Sequence, residues 1–146
     1  MVFREAQFAD IGKMHAIRVA VKENRLSDPN RISSLDYEKY LKERGKGWVC
    51  EIEGQVIGFA IVDLFENNIW ALFVDPVFEG KSVGRKLQQA MLNWYFEQSE
   101  NTIWLGTSPG TRAEQFYRKT GWKATGTHSN GEIVFEMSIR DWIEHK

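Results

Sequence analysis

The stretch that decides the fold is residues 71–92, ALFVDPVFEGKSVGRKLQQAML. With Ile69 and Trp70 ahead of it, it opens on an apolar run of the length and richness of a buried strand. Asp75-Pro76 ends that strand, because proline cannot donate to a ladder and holds the residue before it extended. Gly80 and Gly84 then bracket Lys81 and Ser82, and a helical pattern follows. Val83, Leu87, Ala90, Met91 and Trp94 recur at spacings of three and four, which predicts a helix with one apolar face, running to about Gln98. Strand, glycine-bearing loop and helix N-terminus make an anion site, since the loop amides point outward and the helix dipole adds positive potential. A phosphate is the expected occupant, although such a turn also serves as a plain chain reversal. A nucleotide-triphosphate P-loop is excluded: it needs glycine five residues before Gly80, and Asp75 stands there.

Composition sets the outer bounds. The 146 residues are 42% hydrophobic and 27% charged, the make-up of one globular domain with a core of its own. A net charge of −1 argues against bulk electrostatic binding to nucleic acid or to an anionic membrane. Cys50 is the sole cysteine, so no internal disulfide can form and a reducing compartment is expected. Cysteine cannot build a metal site here, and His15, His128 and His145 lack metal-ligand spacing. No apolar run is long enough to span a bilayer, and the first residues lack a signal-peptide pattern. The expected location is cytoplasmic, and a homodimer is left open.

Outward from the central stretch, residues 2–7 read as a strand. Asp10 is placed to cap a helix whose inner face is Ile11, Met14, Ile17, Val21 and the stem of Arg18. Residues 22–34 are a polar connection, after which a short helix from Ser34 carries Leu35, Tyr37, Tyr40 and Leu41 and ends at Gly45 and Gly47. Two strands, residues 48–52 and 56–64, flank a turn at Glu53-Gly54-Gln55 and precede the central strand. Beyond the long helix come a strand at 102–105, a loop at 106–110 and a helix at 111–120. A closing hairpin pairs 122–126 with 133–139, and residues 141–146 read as a short charged tail.

This pattern resembles the GNAT superfamily of N-acetyltransferases. Its central signature is similar to V-x-P-x-x-[QR]-x-x-G-x-[GA]: Val74 and Pro76 match, Glu79 stands at the Gln/Arg position, Ser82 at the first small position and Gly84 at the last. Residues 113–122, AEQFYRKTGW, look like the family's A-x-x-F-Y-x-x-x-G-[FW] segment. The resemblance covers most of the second half of the chain; the first half agrees in its order of elements. It implies one α/β (α+β) domain over residues 1–146. A mixed, mostly antiparallel sheet of about seven strands, splayed between the fourth and fifth, would be flanked by about four helices. It also implies acetyl-CoA as co-substrate, without a metal, its pyrophosphate on the loop amides. The cofactor contacts would fall at Leu72, Phe73, Val74, Glu79, Gly80, Lys81, Ser82, Val83, Gly84, Arg85, Ser108, Arg112 and Phe116. Glu79 would either repel the phosphates or be turned away by pairing with Lys81 or Arg85.

Acetyl transfer from a thioester needs a deprotonated amine, a fixed donor for the oxyanion and an acid for the leaving thiolate. The resemblance makes Tyr117 the acid and puts the oxyanion donor on the central strand, where relatives carry a bulge that no glycine marks here. Core packing is the competing role of Phe116 and Tyr117. The general base is unassigned: Asn68 occupies the place of a glutamate in many relatives, and Glu66, Asp63, Asp28 and Glu23 are ordinary turn carboxylates otherwise. Where many relatives carry an asparagine, this chain has Gly110, so Ser108 or Thr111 could supply the polar contact, with Thr111 equally suited to capping the next helix against Glu114. The acceptor, a small amine, would be met by Glu23, Asp28 and Trp70, with the closing hairpin at 128–132 as the alternative wall. A non-catalytic acyl-CoA-binding or sensing module and a structural domain without cofactor are the competing functions.

Overall fold

A computed structural model describes residues 1–21 and 32–145. Its elements run β1 (Val2–Glu5), a 3-10 turn (Phe8–Asp10), α1 (Ile11–Ala20), α2 (Ser34–Lys39) continued by a π turn (Tyr40–Arg44), β2 (Gly45–Ile52), β3 (Gln55–Asp63) and β4 (Asn68–Val74). A 3-10 turn (Pro76–Phe78), α3 (Val83–Gln98), β5 (Ile103–Thr107), α4 (Arg112–Lys119), β6 (Lys123–Thr127), β7 (Ile133–Met137) and α5 (Ile139–His145) complete it. The described strands form one sheet in the order β1-β2-β3-β4-β5-β7-β6. Only β4 and β5 are parallel, and they pair at a single position, Asn68 with Trp104. The expected splay between the fourth and fifth strands is therefore present.

Each sheet face carries its own core. On one, α3 lays down Val83, Leu87, Met91, Leu92 and Tyr95, all buried, while the expected Ala90 and Trp94 are partly buried at the margin. Gly58 on β3 brings this helix close: a Cβ there would sit 3.1 Å from Leu87 and 3.2 Å from Val83. On the other face, Ile11, Met14, Ile17 and Tyr37 of α1 and α2 pack on Val49, Phe59, Ile61 and Ala71. The Glu53-Gly54 turn has positive φ at both residues, as a tight two-residue hairpin requires.

Several local expectations are corrected. Asp10 does not cap α1 through its side chain; it accepts two bonds of 2.9 Å from Arg4 and one of 2.8 Å from the Gln7 amide. A carboxylate held by a guanidinium in this way is worth more than a neutral cap. Gly45 and Gly47 begin β2 instead of ending a helix, because β3 lies so close that a Cβ on Gly45 would overlap the Val62 carbonyl. The second helix is capped by Ser33, whose hydroxyl accepts from the Asp36 amide. The expected tail is a fifth helix among the described residues: Ser138 and Asp141 cap each other reciprocally, and Trp142 is buried. Alternating charges masked its one anchoring aromatic.

Candidate active site

The site begins where the sheet opens. Asp75 donates its amide to Ile57 of β3 at 2.8 Å, and Phe73 pairs with Phe59. Alternation along β4 therefore turns the Leu72 and Val74 amides the other way, towards the gap beside β5. The register against β3 slips between Ile61, opposite Ala71, and Val62, opposite Ile69, leaving Trp70 as an extra residue. This is a β-bulge. It puts Trp70 and Ala71 on the same face, both against the α1–α2 layer, while Ile69 and Leu72 pack towards α3.

The loop after β4 delivers the second part. Asp75 caps the Pro76–Phe78 turn by accepting from the Val77 amide at 3.0 Å. Gly80 (φ 78°) and Ser82 (φ 66°) then take left-handed conformations. In that conformation the Ser82 hydroxyl makes no capping bond, and the first helical bond is Lys86 N–H to the Ser82 carbonyl. The amides of Val83, Gly84 and Arg85 thus enter the first turn without intrahelical partners. The starts of α2 and α4 are treated differently, with side-chain caps from Ser33 and Thr111. The uncapped end borders a groove of about 420 Å³ running between the loop, β4 and α4. All residues expected to meet the cofactor line it except Lys81 and Ser108. Gly84 forms part of its floor, since a Cβ there would touch the Phe116 ring at 3.6 Å and Val74 at 3.7 Å.

Glu79 is turned by neither Lys81 nor Arg85. Its carboxylate lies 3.6 Å from the Arg112 guanidinium, which reaches over Gly80 from the start of α4. Thr111 caps α4 by accepting from the Glu114 amide, and its hydroxyl donates to the Ser108 carbonyl at 2.7 Å. The Glu114 carboxylate takes the Gly110 amide at 2.7 Å and the Arg118 guanidinium at 2.8 Å, both of which hold it below the usual carboxylate range. Thr111 is thus committed to the helix, and the Ser108 carbonyl is taken up by its hydroxyl.

Tyr117 stands at the inner end of the groove, bordering both it and a second cavity of about 200 Å³. Its ring is wedged among Phe116, Trp122 and Phe135, with centroids 5.3, 5.8 and 5.9 Å away. Trp122 is fixed in turn by a buried bond of 3.0 Å from its indole N–H to Gln88 of α3. Burial pushes the Tyr117 phenol well above its ordinary value, so the hydroxyl is a donor throughout the neutral range.

The second cavity lies on the far side of Tyr117 and is floored by the bulge. Trp70 lines it, stacked on Tyr40 at 4.2 Å and met edge-on by Tyr37 at 5.1 Å. Glu23 and Asp28 lie outside the described residues. Of the other carboxylates considered as base, Asp63 is buried and bound to Arg44 at 2.7 Å, and Glu66 is 71% exposed; neither lines these cavities. Two charged residues line the second cavity: Glu132, just before β7 in the hairpin expected as the alternative wall, and Arg18 of α1, which the sequence had not assigned to the site. For Arg18 the signal was its place in the inner-face spacing of α1, where a stem was expected to lie with its head in water. In fact the whole side chain is buried, with 8% exposure.

With this geometry, the chain belongs to the Acetyltransferase (GNAT) family, whose profile matches residues 13–122. Over 95 residues it is 34% identical to an uncharacterised N-acetyltransferase of Archaeoglobus fulgidus, the match covering 56% of this chain and 64% of that protein. Over 103 residues it is 25% identical to an uncharacterised N-acetyltransferase of Mycobacterium tuberculosis, covering 67% and 66%. The chain thus spans just under two thirds of the length of these curated relatives. The PaiA N-acetyltransferase of Thermoplasma acidophilum, solved with coenzyme A, superposes with a TM-score of 0.81 at 13% identity, over 94% of this chain and 98% of that one. The ribosomal-protein-S18-alanine N-acetyltransferase of Escherichia coli gives 0.75 at 16%, over 94% and 93%. At such identities these two neighbours share the fold. Among the described residues, no helix is long and apolar enough to cross a membrane, and no group of His, Cys, Asp and Glu could hold a metal ion.

Proposed function

We propose that this protein transfers an acetyl group from acetyl-CoA to a primary amine by direct attack in a ternary complex, the acceptor being a small molecule. The carrying observation is one continuous surface: uncapped amides at Val83–Arg85, the open edge of β4, and then Tyr117 at the mouth of a second cavity. The chemistry of that surface fits coenzyme A. Free amides and a helix dipole suit a pyrophosphate, and glycine at position 84 keeps the backbone accessible. Pairing with Arg112 offsets the Glu79 charge at the one position where a carboxylate would oppose binding. The Leu72 and Val74 amides are oriented to donate to a carbonyl oxygen in the gap, the role of an oxyanion donor. Tyr117 gives its proton to the departing thiolate. Some structural neighbours are named for a protein acceptor; the second cavity here, about 200 Å³, favours a compact amine.

The test is a calorimetric titration with acetyl-CoA followed by thiol-release assays over a panel of amines. Binding with turnover is expected. Binding without turnover of any amine would make the protein a non-catalytic acyl-CoA-binding module, and no binding would leave a structural domain.

A further inference from the structure

The least expected group in the molecule is the Arg18 guanidinium. It lies over the Trp70 ring at 4.7 Å and the Phe73 ring at 5.1 Å, and Nη2 donates to the Trp70 carbonyl over a long 3.4 Å. Nε and Nη1 are buried without hydrogen-bond partners, and no carboxylate among the described residues pairs with it. Beside it, the Tyr37 phenol lies 3.0 Å from His15 Nδ1 and also faces the Arg18 guanidinium, a polar contact that brings no negative charge. Two aromatic faces offset part of the cost of burying a cation, but they do not replace an anion. Among the described residues this arginine has no counter-charge, and a bound anion would supply one.

The surroundings say what the anion belongs to. Arg18 borders the second cavity and a neighbouring one of about 460 Å³ towards Trp104 and His128, and so does Glu132, which reaches in from the closing hairpin. Glu132 Oε1 is oriented by the Asn130 amide at 3.1 Å and hangs over Gly106, where a Cβ would meet it at 3.1 Å. The same space therefore offers a cation on the α1 side and an anion on the β7 side, with Trp70 between. We propose that the acceptor is an amino-carboxylate, its carboxylate taken by Arg18 and its ammonium drawn towards Glu132 beside Tyr117. A planar carboxylate suits the guanidinium because it can accept two charge-assisted hydrogen bonds from it. This deepens the acetyltransferase reading and rests on it.

The test compares glycine, β-alanine and lysine with their amides, with thiol release as readout and calorimetric binding in the presence of coenzyme A as a second. The acids are expected to exceed the amides in kcat/KM by tenfold or more, roughly 1.4 kcal/mol, chiefly through KM. Arg18→Gln should erase that preference, the acids losing far more than the amides; Arg18→Lys should restore part of it. A purely structural arginine would lower acids and amides by the same factor, leaving their ratio at the wild-type value, and that result overturns the proposal. So does wild-type protein that acetylates acids and amides equally, which would leave acetyl transfer itself standing. If coenzyme A binds but no amine is turned over, the acetyltransferase reading fails; the proposal then falls too unless the amino acids still bind in preference to their amides.

Discussion

Replacing Tyr117 by Phe removes one hydroxyl from a ring that everything else holds in place. No hydrogen bond from this hydroxyl is made to the described residues, and the ring contacts with Phe116, Trp122 and Phe135 survive the change. The stability cost should therefore stay within about 0.5 kcal/mol, the usual scale of a change that breaks no buried bond. For a domain of this size that is a shift in Tm of roughly 2 °C or less. If the hydroxyl is the acid, turnover should fall tenfold to a thousandfold, about 1.4–4 kcal/mol of transition-state stabilisation, with acetyl-CoA affinity unchanged. Single-turnover thiol release and calorimetric titration, run on the same preparations, separate the two. Wild-type turnover in Tyr117→Phe would refute the acid assignment and return the residue to packing. Alkaline pH gives an independent check. Above about pH 10 the unfolded chain releases a phenolic proton that the folded one retains, because burial raises this group in the native state. Stability must therefore fall as the pH climbs past that point, and less steeply in Tyr117→Phe.

Gly84→Val should press a branched side chain against Phe116 and Val74 and lower acetyl-CoA affinity by more than about tenfold, or ~1.4 kcal/mol, in a calorimetric titration; unchanged affinity would remove the loop from the binding site. Glu79→Gln should leave acetyl-CoA affinity within about twofold at low and high salt, because the carboxylate is already paired with Arg112 on an exposed surface. A clear gain in affinity that vanishes with salt would mean the charge had opposed the phosphates. Gln88→Leu should strand the Trp122 indole N–H in the core and cost about 1–3 kcal/mol in urea unfolding. An unaltered midpoint would show that this bond does not hold the wall behind Tyr117.

What the chain discloses depends on how local the cause is. The β4–loop–α3 unit was readable because three local rules coincide there: an apolar run, a proline stop and a spacing of three and four from Val83. The sheet order and its splay followed from resemblance, and the single β4–β5 pairing bears that out. The bulge at Trp70 was not readable from this sequence, since nothing in Ile69-Trp70-Ala71 departs from an ordinary strand. It arises from the register of β3 against β4, which is a property of two segments together. The partner of Glu79 was missed for the same reason: Lys81 and Arg85 are near in sequence, whereas Arg112 is near only once α4 has docked beside the loop.

The same distinction explains why the acceptor side was the less legible half. Polar residues in a long connection attract attention because they are dense in sequence, and Glu23, Asn24, Arg25, Ser27 and Asp28 are dense. A recognition group buried within an amphipathic helix offers no such density. Arg18 sits where α1 needs an apolar residue, and its stem satisfies the helical spacing, so the pattern absorbs the charge without showing it. What exposes it is the accounting of partners in three dimensions: two donors without acceptors, two aromatic rings, and a carboxylate from the far hairpin on the same cavity. Desolvating a guanidinium beside an open cavity is costly in the free protein, and a bound anion would offset that cost at the moment of binding. Selectivity for the acceptor's anionic group would then come from α1 and the bulge, while the chemistry stays with Tyr117 and the β4 edge. Changes at Arg18 should accordingly alter which amines are acetylated without altering how acetyl-CoA is held.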